Sequence, residues 1–461
     1  MKKTAWVLVL SFCAAGIVFG QWYGYTGSTG SELDGGLGMM WIDNQAYYNI
    51  SFQPDIGIGK FGIGLNINLL YNAKNGKFYS QDWKNPSTGK TDYLRIIRYM
   101  RYGHKGERVY TRVGALDAER LGHGFILNFY NNQIVYESRK IGMTLDIDFG
   151  PFGFESLTNN LGRIEVFGGR VYVRPLFSSQ IPILKNLAFG ASYVTDLDPD
   201  AWKSSKNDEV SEYGGDVELP IIKSSILTTM LYYDYAKIRA HKHNYGSGQT
   251  IGVRTDFNAL WGFLGLSVNF ERRYLGKEFI ASYFGPFYEI LRWTTVGELV
   301  NFYESLGGNT AGIPGGLSIF YSLPVSQSML LPMMTQKRNA WYGALDLDFF
   351  RLIRVVGSYQ KVDQLGNSGM LHFGAGLSPN IPLITAEATY DKRGIGTFQD
   401  IRTLDYRSVA RVGVGYKVKP YLLLYMDYIW TFVWDDGLGQ YKPQERFQPR
   451  LALRIPIQYG R

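Results

Sequence analysis

Between Tyr48 and Tyr71 the chain carries two alternations of opposite phase, separated only by Gly59 and Lys60. Before that gap the even positions are the apolar ones, Tyr48, Ile50, Phe52, Pro54, Ile56 and Ile58, and Asn49, Ser51, Gln53, Asp55 and Gly57 fill the odd ones. After it the odd positions take over, with Phe61, Ile63, Leu65, Ile67, Leu69 and Tyr71 apolar and Gly62, Gly64, Asn66 and Asn68 between them. A two-residue hairpin loop sets its flanking residues opposite each other, so Ile58 faces Phe61 and both apolar sets share one face. Each arm has about eleven or twelve residues, close to the length a tilted strand needs to cross a bilayer. Strands of soluble sheets average about five or six.

The N-terminus reads as a secretory signal peptide over residues 1–20. Lys2 and Lys3 precede an apolar run from Ala5 to Phe19, and small or branched residues lead to Gly20. An uncleaved anchor is the alternative, although the run is short for a membrane span. Cys13 lies in the apolar run behind the bulky Phe12, so it reads as part of that run and not as a lipidation site. Cleavage after Gly20 removes the single cysteine, and with it any disulfide or thiolate metal site. Losing Lys2 and Lys3 takes the formal charge from +8 to +6, a modest excess that offers no nucleic-acid footprint.

Composition separates the remaining classes. The chain has 54 Gly, 34 Tyr, 27 Phe and 10 Trp, yet its mean hydropathy is only -0.14. Beyond the signal no apolar run approaches the length of a transmembrane helix. A transmembrane barrel hides its apolarity at every second position and uses aromatic residues at the interfaces, which fits both numbers. A secreted soluble β-protein is the alternative, and recurrence of the hairpin pattern decides between them.

Residues 21–35 form a polar lead-in, and a first short strand is expected at Gly36–Ile42. After a loop at Asn72–Thr91, Asp92–Arg112 is strongly basic, with Arg95, Arg98, Arg101 and Arg112 among its cations. It reads as a strand broken at Gly103–Gly106 and resumed at Val109–Leu116, which would split Arg95, Arg98 and Arg101 between two faces. Arginines facing a pore would favour anions; a solvated rim patch is the alternative. The glycine-rich stretch from Leu121 to Tyr130 reads either as a segment folded into a barrel or over a pore mouth, or as another strand with a turn.

Alternation returns at Ile141–Phe149, with Asp146 and Asp148 on the polar face, and Leu345–Phe349 repeats the phrase with Asp346 and Asp348. Two carboxylates on one strand fall short of the six to eight oxygens calcium takes, so a hydrated wall is the better reading. Further strands are expected at Arg163–Arg174, Asp216–Ile221 and Ile226–Tyr235, around a charged loop at 196–213. His241 and His243 lie in a polar loop without a third close ligand, so no metal or cofactor is expected. Residues 275–338 form a long excursion with a possible helix at Tyr288–Leu306. It could fold inward as a constriction, cover the mouth or remain a plain external loop. The final third is regular, and short links such as Lys419-Pro420 alternate with long polar ones such as Lys392–Tyr406.

Over residues 36–461 this pattern resembles bacterial outer-membrane β-barrels of the porin-like kind. The resemblance implies an antiparallel transmembrane β-barrel of roughly 16–20 strands, even in number. It also implies export through the Sec route to a Gram-negative outer membrane, contact with outer-membrane lipids, and insertion by the barrel-assembly machinery. The last strand, with Leu451, Leu453, Ile455, Ile457 and Tyr459, is similar to the terminal signal that machinery reads, but it ends in Gly460-Arg461 instead of an aromatic. A homo-oligomer is compatible with this class.

The expected function is passive passage of small polar or ionic solutes, with Asn66, Asn68, Arg95, Arg98, Arg101, Arg112, Asp146, Asp148, Asp346 and Asp348 as pore-lining candidates. A structural, adhesion or secretion-complex barrel is the alternative. The five histidines stand in no nucleophile motif, so no enzymatic activity is expected. Strands that begin near residue 36 leave no room for a large N-terminal plug domain.

Overall fold

The computed structural model describes residues 31–457, apart from 85–91, 137–138, 182, 200–207, 261–262, 293, 296–323, 326, 379 and 436–439. The expected signal peptide and nearly all of the lead-in lie outside the described residues.

The strands, in chain order, are β1 (Ser31–Ile42), β2 (Gln45–Phe52), β3 (Asp55–Ile58), β4 (Phe61–Leu65), β5 (Ile67–Asn72), β6 (Ile97–Tyr102), β7 (Val109–Gly114) and β8 (Gly142–Asp148). There follow β9 (Phe152–Thr158), β10 (Val166–Val173), β11 (Ala188–Asp196), β12 (Val210–Lys223), β13 (Leu227–Ala240), β14 (His243–Leu260) and β15 (Leu264–Leu275). A two-residue pair, β16 (Thr294–Thr295) and β17 (Pro324–Val325), stands apart. The wall resumes with β18 (Arg338–Phe349), β19 (Ile353–Val362), β20 (Gly369–Leu377), β21 (Ile384–Ile395), β22 (Ser408–Lys419), β23 (Leu422–Asp435) and β24 (Gln440–Ile457).

Each wall strand pairs antiparallel with the next, β15 passes directly to β18, and β24 returns to β1 with Leu37 opposite Leu451 and Leu33 opposite Ile455. The sheet is therefore a closed barrel. The opening hairpin forms in the expected register, with Ile58 opposite Phe61, Ile50 opposite Leu69 and Tyr48 opposite Tyr71. Its arms are each interrupted once, at Gln53-Pro54 and at Asn66, because Pro54 cannot donate to a ladder. Counting β2 with β3 and β4 with β5 as single strands, the twenty-two segments of the sheet make twenty wall strands. That is the upper end of the expected range, and an even number is what closes an antiparallel ring.

The wall is inside-out relative to a soluble protein. Leu37, Phe61, Ile251, Leu424 and Leu451 are exposed on the outer face, Leu37 by 64% and Phe61 by 63%, while Arg273, Arg446, Glu271 and Asp234 are buried in the interior. Period-two side-chain alternation produces both surfaces from the same strands. Many of the interior charges are held in pairs, such as Arg273 with Glu271 at 2.7 Å.

Connections sort by length, though not strictly. One rim carries Gly59-Lys60 and the three-residue links 149–151, 224–226 and 350–352, together with both described chain ends; the connections that follow β5, β7 and β15 leave from the other. Two of the tightest turns nevertheless lie on the long-loop rim, Asp43-Asn44 and His241-Lys242, and all four residues have positive φ. His241 thus belongs to a two-residue hairpin turn, not to the polar loop expected there. The turn escaped the sequence reading because neither central residue is the usual Gly.

Several expected boundaries shift. The first strand starts at Ser31 instead of Gly36, since Asp34 is held in the wall by Arg450 and Arg454. Tyr93–Ile96 is a 3-10 turn, with the Asp92 side chain accepting from Leu94 N, so the basic strand begins only at Ile97. β12 and β13 are longer than expected, and the early start of β12 narrows the charged loop to 197–209. Within the described part of 288–306 the helix is one turn, Tyr288–Leu291.

Candidate functional site

Two segments enter the barrel from the long-loop rim, 115–141 and 276–292. They meet backbone to backbone: Asn128 N donates to Phe284 O at 3.2 Å, Phe284 N to Ile126 O at 3.3 Å, and Ser282 N to Phe125 O at 2.7 Å. Leu121, Phe125, Leu127, Phe279, Phe284 and Tyr288 then form one apolar cluster with the wall residues Val166, Val194, Val210 and Ile238. Of the two readings of Leu121–Tyr130, the inward-folded one holds. Its glycines serve that path, Gly122 and Gly124 both having positive φ.

A polar knot surrounds the apolar one. Lys140 Nζ lies 2.7 Å from both Glu165 and Glu289; Arg292 lies 2.6 Å from Glu165 and 2.9 Å from Asp196; and the Tyr130 hydroxyl donates to Glu289. Burial alone would raise the Glu289 carboxyl, but Lys140 and Arg292 hold it below the usual carboxylate range. Asp117 goes the other way, pushed up by burial despite Arg112 at 3.1 Å.

Two of the cavities beside the inward segments are lined by residues expected in a pore. The first, about 180 Å³, is lined by Asn66, Asn68, Arg95 and Arg98, and also by Asp34, Glu387, Arg411, Asp427, Arg450 and Arg454. The second, about 470 Å³, is lined by Lys105, Arg112, Asp146, Asp148, Asp346 and Arg354. Its wall residues cluster next to the short-turn rim, and Asp117 borders both cavities.

The expected pore residues therefore fall into groups. Asn66 and Asn68 face the first cavity, linked by Asn68 Nδ2 donating to Asn66 Oδ1 at 2.7 Å. Arg98 reaches the same cavity through a β-bulge. Leu65 pairs with Ile97 and Gly64 with Tyr99, so Arg98 is the extra residue and shares a face with Tyr99. A Cβ on Gly64 would lie 2.6 Å from the Tyr99 ring and 2.8 Å from Arg98 Nε, so glycine is what admits both side chains. Both meet Asp55, Tyr99 by a 2.5 Å hydrogen bond and Arg98 by an ion pair. The bulge overrides the expected split between faces.

Arg95 borders the first cavity from a loop, not from a strand, and its Nη1 donates to Asp82 O at 3.2 Å. Arg101 borders neither cavity. Its Nη1 donates to Gly103 O at 3.1 Å and to Lys60 O at 3.4 Å, bracing two short turns. Arg112 borders the second cavity and pairs with Asp117.

Asp146 and Asp346 line the second cavity, Asp346 paired with Arg354. Asp148 also borders that cavity, and both Asp148 and Asp348 act on the turns that follow them: Asp148 accepts from Gly150 N at 2.7 Å and Asp348 from Arg351 N at 2.9 Å. Both aspartates cap the turn that follows, two residues on in one hairpin and three in the other, and Asp348 is a rim residue.

The residues missed were Arg450, Arg454, Asp427 and Glu387. For Arg450 and Arg454 the signal was present in the last strand, where Arg446, Gln448, Arg450 and Arg454 occupy the phase opposite Leu451, Leu453 and Ile455.

An apolar outer belt, a closed ring of pairing and a charged lumen with inward segments define a transmembrane β-barrel of porin-like build. No family model matches the chain, and no curated protein matches it. Among solved structures it is similar to OccK8 (OprE) of Pseudomonas aeruginosa, at 10% identity over 93% of this chain and 98% of that one, with a TM-score of 0.31. OccK3 (OpdO) of the same organism gives 10% identity, 93% and 96% coverage and a TM-score of 0.31. OccAB2 of Acinetobacter baumannii gives 8% identity, 93% and 98% coverage and 0.30. Superposition this loose carries no argument, and the class rests on the pairing and the side-chain partition.

Proposed function

We propose that this protein is a bacterial outer-membrane channel for passive movement of small polar or ionic solutes, exported by the Sec route and inserted among outer-membrane lipids by the assembly machinery. The observation that carries the reading is the first cavity. It is walled by charged and amide side chains from β1, β3, β21, β23 and β24, and it lies beside segments that narrow a barrel otherwise wide enough to hold an open channel. Paired charges on both sides of such a passage replace part of a solute's hydration while leaving no single tight site. Discrete current steps in planar bilayers from the purified protein test it, and protein that inserts without ever conducting overturns it.

One observation favours a second reading, a barrel with a structural, adhesive or secretion-complex role. The apolar cluster inside the long-loop half fills lumen that an open pore would leave wet. A stoichiometric partner retained after mild detergent extraction, together with absence of current, supports that reading.

A further inference from the structure

Five neighbouring wall strands, β13, β14, β15, β18 and β19, confine the charge on their outward phase to one end and to one sign. Tyr233, Ile251, Arg272, Trp341 and Lys361 stand opposite one another in turn across the ladder, and Tyr233, Ile251 and Trp341 are exposed on the outer face. From this row to the short-turn rim the outward positions are uncharged, starting with Leu231, Val253, Phe270, Gly343 and Tyr359. Towards the long-loop rim the same phase adds Tyr235 and Tyr274, then Lys237 and Arg239, and no acid. β24 differs. It reaches that rim with Glu445 in its outward phase, beside Asp43, whose side chain accepts from Glu445 N at 3.2 Å.

An arginine facing lipid is costly at the bilayer midplane and costs little at the interface, so the Arg272 row marks where the apolar band ends. Tyr233, Tyr235, Tyr274 and Trp341 supply the aromatic girdle that belongs at that level. Arg272 is held in place, its guanidinium 4.2 Å from the Trp341 ring centre and 2.6 Å from Asp363, which lies just beyond β19. Lys361 Nζ donates to Gly366 O at 3.4 Å, while Lys237 and Arg239 make no ion pair among the described residues. Long cationic stems lie along such a girdle and lift the charge into the headgroup layer. With Asp363 set against Arg272, three positive charges remain on a strip about 19 Å wide, four strand spacings of about 4.8 Å.

We propose that this sector of the outer wall is a docking surface for an anionic, phosphate-bearing lipid headgroup in the leaflet that the long-loop rim faces. Lys237, Arg239 and Lys361 meet the headgroup, and Arg272 anchors the girdle beneath it. Anionic headgroups attract cations held near the surface, and arginine and lysine are the side chains that bind phosphate. The apolar positions below the girdle, Phe270 and Leu231 among them, lie against the acyl chains, so the partner is a lipid and not a soluble anion. The inference rests on the barrel's placement in a membrane and not on whether it conducts.

The test uses the full chain folded in a neutral detergent and titrated with short-chain phosphatidylglycerol, against phosphatidylcholine of the same chain length, with bound lipid counted by native mass spectrometry. Expected is saturable retention of phosphatidylglycerol over phosphatidylcholine, weakened by salt. Affinity should fall about thirtyfold in Lys237→Gln combined with Lys361→Gln, the equivalent of about 1 kcal/mol for each cation. Arg239→Gln alone should cost about fivefold on the same scale and serves if the double variant does not fold. Lys419→Gln, exposed at the opposite rim, retains wild-type binding. Heat-modifiable gel mobility confirms that each protein compared is folded. Equal retention of the two lipids by folded wild type, affinity that the substitutions leave unchanged, or displacement of the lipid by equimolar inorganic phosphate overturns the proposal. Failure of the chain to enter phosphatidylcholine vesicles at all overturns the membrane reading as well, and is told apart from insertion without lipid preference.

Discussion

Lys140 Nζ lies 2.7 Å from Glu289 Oε2, an ion pair between inward segments that are 149 residues apart in sequence and meet inside the barrel. The Glu289 side chain is 5% exposed and Lys140 20%. Neutralising Glu289 leaves Lys140 with Glu165 alone at 2.7 Å, so the loss is that of one charged hydrogen bond, about 2 kcal/mol. Glu289→Gln is therefore expected to loosen the inward segments without unfolding the wall. Hydrogen exchange across 115–135 should accelerate, and conductance should rise if the channel reading is right.

Acid should act on the same knot. The folded-state ionisation of Glu289 and Glu165 is depressed: burial alone opposes the charge, but Lys140 and Arg292 outweigh it. A depressed carboxylate contributes stability that is present above its unfolded value, about 4.3 for Glu, and is lost as pH falls through the lower folded value. The segments should stay docked from neutral pH down to about 4 and release below it. Tryptic cleavage within 115–141 after brief acid exposure, compared with the neutral control, measures this; cleavage rising towards alkaline pH instead would contradict the sign.

Arg98→Ala removes a cation that the bulge places at the first cavity and leaves Asp55 with Tyr99 alone. The pair is a third exposed on the arginine side, so stability should change by less than about 1 kcal/mol. The expected effect is on selectivity, read as a reversal potential displaced towards cations in a salt gradient. Arg101→Ala, which borders neither cavity, should leave that potential in place and weaken the short turns instead.

The outer belt can be tested at Leu451, 48% exposed on β24 opposite Leu37. Leu451→Arg places a charge where lipid is expected and should cost about 2–4 kcal/mol if the site lies near the bilayer midplane. Folding yield into vesicles, followed by the heat-modifiable gel shift, measures it. A soluble protein would tolerate the change.

Close strand contact predicts a sharper failure at Gly214. A Cβ there would sit 1.9 Å from the backbone oxygen of Tyr235, and backbone cannot swing aside as a side chain can. Gly214→Ala should separate β12 from β13 and abolish the folded gel band. Gly265→Ala, whose nearest atom is 3.4 Å away on Asp348, should fold normally.

The alternation of Tyr48–Tyr71 by itself determined the hairpin, its register and which face of it is apolar. Period-two order is local, and each strand carries it without reference to any other. The same logic reached β8, β18 and β24, and placed Asn66, Asn68, Asp146 and Asp346 on the inner face. It did not reach Arg98, whose side is set by a bulge against Gly64 on the neighbouring strand, nor Arg101 and Asp348, which bind turn backbone. Only tertiary structure brought His123 to Asp234, Lys140 to Glu289 and Phe284 to Leu127. These contacts join segments that have no common periodicity, and they exist because a closed twenty-strand wall leaves an interior that the chain itself partly fills.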